Sequence, residues 1–70
     1  MEEIQFPKAK GVTSNILGEN SNVFNLISIV SRDLRKAGYH DLDKEFKDKC
    51  FRAKSYDEVL MIIQTYVDVS

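Results

Sequence analysis

Residues 20–38, NSNVFNLISIVSRDLRKAG, carry a helix start, an apolar stripe and a helix stop in one continuous run, and every other part of the chain has to accommodate that run. Asn20, Ser21 and Asn22 each offer a short side-chain oxygen to the unpaired N–H groups of a first helical turn, so one of them is the expected N-cap. Val23, Ile27, Val30, Leu34 and Ala37 follow at spacings of four, three, four and three, the stripe that a 3.6-residue period lays along one face. Arg32, Arg35 and Lys36 set positive charge towards the negative end of the helix dipole, and Gly38 supplies a left-handed residue to close the helix. Such a helix must bury one face against something.

The remainder of the chain supplies two more helices. Tyr39-His40-Asp41 is a short connection in which Asp41 is the expected N-cap, and Leu42, Phe46, Cys50 and Ala53 then form a second stripe. Asp43 with Lys47, Glu45 with Lys49 and Asp48 with Arg52 place an acid four residues before a base, which predicts a solvated, salt-laced outer face. Ser55-Tyr56-Asp57-Glu58 reads as a capping box opening a third helix, whose core stripe is Tyr56, Val59, Leu60, Ile63 and Val67. The expectation is a small all-α domain of three helices, near 21–37, 42–53 and 56–67, within residues 18–70. Residues 1–17 form an N-terminal arm, where Ile4 and Phe6 alternate ahead of Pro7 and residues 12–17 allow a short β-strand. A hairpin turning through residues 8–11 and a loosely attached arm are both open readings.

Seventy residues bury only about 60% of the surface that the unfolded chain exposes, so a lone domain of this size is marginal. With one cysteine and one histidine, neither an intrachain disulfide nor a zinc site is available to reinforce it. Leu26 and Ile29 on the first helix, and Met61, Ile62 and Tyr66 on the third, are apolar beyond what one small core uses, and they predict a homo-oligomer interface. The net charge of −1 excludes bulk electrostatic binding to nucleic acid, although residues 32–54 hold eight bases and five acids, a local excess of three. No apolar run approaches a membrane span, and Met1-Glu2-Glu3 has the wrong charge for a signal peptide, so the expected location is the cytoplasm.

Catalysis finds few candidates. His40 and Cys50 lie about 15 Å apart along a helix axis, and a cysteine on an apolar stripe is ordinarily buried and inert. There is no Gly-rich phosphate loop and no metal-ligand spacing, so neither a cofactor nor a metal is expected and the protein reads as a non-enzyme. Binding remains, with Asn20, Ser21 and Asn22 ahead of the first helix, Arg32, Arg35 and Tyr39 at its end, and Tyr56 as candidate ligand residues for a phosphate-bearing small molecule.

GENSNVFNLI at 18–27, LRKAG at 34–38, Glu45-Phe46, SYDEVL at 55–60 and YVDV at 66–69 together resemble a group of short, uncharacterised bacterial and phage proteins. Their pattern reads G-x-D-G-N-A-F, then L-R-x-A-G, then S-G-D-Y-D-x-L-L. This chain departs from it at Ser21 and Val23, and it lacks the glycine and first aspartate ahead of Tyr56. The resemblance implies a protein of phage or mobile-element type but transfers no catalytic residue. Two functions follow as expectations. The first is a stoichiometric binding protein, a small oligomer that sequesters a host protein or a nucleotide-like signal. The alternative is a small helix-turn-helix-like DNA-binding regulator built on helices two and three, against which stands a third helix without Lys or Arg.

Overall fold

The computed structural model describes residues 7–18 and 22–70. In chain order it has β1 (Thr13–Ser14), α1 (Val23–Lys36), α2 (His40–Arg52), α3 (Tyr56–Tyr66) and β2 (Asp68–Val69). The three helices are those the sequence predicts, and the architecture is all-α apart from one very short strand pair.

Local chemistry sets the helix ends. Asn22 is the N-cap of α1, its side-chain oxygen accepting from the Phe24 N–H at 2.9 Å; Asn20 and Ser21 lie outside the described residues. Gly38 adopts φ +89°, and the Gly38 and Tyr39 N–H groups donate to the Arg35 and Leu34 carbonyls that would otherwise be left open. Tyr39 takes the N-cap position of α2 without a side-chain hydrogen bond, so Asp41 falls inside the first turn instead of preceding it. There its negative charge still complements the positive end of the helix. Ser55 caps α3 by accepting from the Glu58 N–H at 3.1 Å. The Glu58 carboxylate accepts from Lys54 N–H at 3.3 Å, one residue earlier than a reciprocal capping box would have it.

The core is built from Leu26, Ile27, Val30 and Leu34 of α1, Phe46 and Cys50 of α2, and Val59, Ile63 and Tyr66 of α3. Phe46 and Tyr66 meet edge to face, with centroids 5.6 Å apart and an interplanar angle of 68°. Leu26 and Tyr66, expected at a subunit interface, are thus inside the chain at 2% and 0% exposure. Ile29 and Ile62 are half-buried against the same core, and of that predicted set only Met61 stands in solvent.

The arm supplies part of the cover over Tyr66, with the Lys8 ammonium 5.1 Å from the centre of its ring. Lys8 and Ala9 donate their N–H groups to the Thr65 and Tyr66 carbonyls, both at 2.9 Å, satisfying the last turn of α3. Ala9, Val12 and Ile16 are buried by the crossing. β1 pairs in parallel with β2, Thr13 opposite Asp68 and Ser14 opposite Val69, so the arm joins the C-terminal strand and no hairpin forms through residues 8–11. The expected loose attachment does not occur over residues 8–17; Ile4 and Phe6 lie outside the described residues.

Polar ties fix the elements in register. Buried Ser14 donates to the Asp33 carboxylate at 2.8 Å, binding the arm to α1. Ser31 of α1 donates to Asp43 of α2, and Asp43 also faces Lys47 at 3.2 Å and Arg35 at 3.9 Å. Asp43 is itself buried, which the reading of α2 as wholly solvated on its charged side did not anticipate. Glu45 turns to Lys8, at 3.0 Å, and to the Tyr66 hydroxyl, in place of the predicted Lys49. Asp48 and Arg52 pair at the surface as expected. Among the described residues no helix is long and apolar enough to cross a membrane.

Candidate functional site

Three helices pack side by side, and at one end of the bundle they leave a groove of about 410 Å³. The start of α1 contributes Val23, Phe24 and Ile27, and the end of α2 contributes Cys50 and Phe51. The short connection 53–55 and the first turn of α3 close the third side, bringing Lys54, Tyr56 and Val59. The floor is buried: Ile27, Cys50 and Val59 belong to the core. The rim is not. Phe24 is 66% exposed, Phe51 67% and Tyr56 40%, one aromatic side chain from each helix.

This placement follows from where each residue falls relative to its helix stripe. Phe24 stands one position after Val23, and Phe51 one position after Cys50, so each is turned about 100° from the buried line and reaches the edge of the groove. Tyr56 is the first residue of α3, immediately after the Ser55 cap, where the chain has only just begun to turn inwards. It was expected in the core stripe and lies on the rim instead.

Cys50, on the floor of the groove, is a poor nucleophile. Burial pushes the Cys50 thiol up to about 11, so the thiolate is scarce near neutrality. His40 is exposed on the first turn of α2, at the opposite end of that helix from Cys50. Among the described residues no three of His, Cys, Asp and Glu gather as ligands for a metal ion.

Those predicted ligand residues that are described, Asn22, Arg32, Arg35, Tyr39 and Tyr56, do not converge. Asn22 and Tyr56 lie at the groove end, while Arg32, Arg35 and Tyr39 belong to the far end of α1, about 20 Å away from Asn22 to Arg35 along the axis. Arg35 is turned towards Asp43, and the Tyr39 hydroxyl donates to the Lys10 carbonyl at 3.2 Å. Phe51 and Lys54 were not singled out from the sequence. A large aromatic beside the α2 stripe, on a helix otherwise charged outside it, was the available signal for Phe51; Lys54 gave none.

The fold and groove define a small three-helix domain with an open, aromatic-rimmed apolar recess. No family model, curated protein or solved structure matches the chain.

Proposed function

We propose that this chain is a non-enzymatic binding protein that acts stoichiometrically, seating an apolar segment of a partner protein in the groove between its three helices. The observation that carries the reading is the convergence of Phe24, Phe51 and Tyr56 on a floor of core residues, because the core is complete without them. Exposed aromatics gathered at one recess, with a desolvated floor beneath, are the composition of binding hot spots. The resemblance to short phage and bacterial proteins supports a host protein as the target.

Three neighbouring readings receive less support. The homo-oligomer rested on Leu26 and Tyr66 together with Ile29, Met61 and Ile62, and most of that surface is used within one chain; on the present proposal the free protein is a monomer. The DNA-binding alternative makes α3 a recognition helix, yet its exposed side chains Tyr56, Asp57, Glu58, Met61 and Gln64 include no cation to meet phosphates. A nucleotide-like ligand would need Arg32 and Arg35, which stand far from the groove.

The test is titration with a labelled synthetic amphipathic helix bearing Leu and Phe at i, i+3, i+4 and i+7. Saturable one-to-one binding is expected, weakened about tenfold or more by Phe51→Ala without loss of folding. Absence of saturable binding by the wild-type protein would overturn the reading.

A further inference from the structure

We draw no further inference here: the strongest candidate, the exposed aromatic rim of Phe24, Phe51 and Tyr56 around the apolar recess at the groove end of the bundle, belongs to the site already described, and nothing in the structure shows what covers it.

Discussion

Phe46 and Phe51 are five positions apart on one helix and have opposite situations, the first fully buried against Tyr66 and the second mostly in water. Truncating Phe46 to Ala should cost about 3–5 kcal/mol, since a core ring is removed and a cavity left. Phe51→Ala should change stability by no more than about 0.5 kcal/mol, as at an ordinary surface position. Urea titrations of both variants decide this, and a large loss from Phe51→Ala would mean that its ring supports the fold instead of awaiting a partner. Ionisation gives a second residue-scale prediction. The hydrogen bond from Tyr66, followed by that from Lys8, holds the Glu45 carboxyl below its ordinary 4.5, so the stability it contributes is present above that value and is lost as the pH falls through its folded pKa. Burial raises Tyr66 above 10 and Cys50 from 9.0 to about 11, so the folded chain keeps protons that the unfolded chain releases. Stability from these two is complete below about pH 9 and declines as the pH rises past it. Thermal melts should show a plateau between about pH 5 and pH 9 with losses on both sides, each reduced in Tyr66→Phe. A melting temperature that increased from pH 9 to pH 11 would contradict these assignments.

The helices were legible because their signals are local. Asn22 before α1, Ser55 before α3 and Gly38 after α1 act within a turn of themselves, and stripes such as Ile27, Val30 and Leu34 need only the helix period to be read. The Ser55 cap should be worth about 1 kcal/mol, measurable as the destabilisation caused by Ser55→Ala. The arm was not legible in this way. Its strand partners are 55 positions distant, from Thr13 to Asp68, and nothing near Thr13 announces a parallel pairing that only the path of three helices creates. That pairing is why Tyr66 is covered by the arm rather than by another subunit. Placing a charge under the arm, as in Ala9→Glu, should therefore destabilise the whole domain by about 2 kcal/mol or more. A melt unchanged by Ala9→Glu would mean that the arm is dispensable. The groove fell between these cases: Phe24 is an apolar residue beside the α1 stripe, but its meeting with Phe51 and Tyr56 depends on how three helix ends are brought together.

At the scale of the whole molecule, the three helices close one core, and among the described residues the exposed apolar surplus gathers at the groove end, together with isolated side chains such as Leu17 and Met61. Light scattering at micromolar concentration should accordingly give the mass of one chain, 8.1 kDa, and a stable dimer would mean that a second copy occupies the groove or the Met61 face. The most direct measurement is a two-dimensional amide NMR titration of the labelled protein with the Leu/Phe-anchored amphipathic helix. Shifts concentrated at residues 23–27, 50–56 and 59, with the arm and the far end of α1 unmoved, are the expected result. Shifts centred on Arg32, Arg35 and Tyr39 or on Met61, or no shifts at saturating peptide, would contradict the assignment of the groove as the binding site.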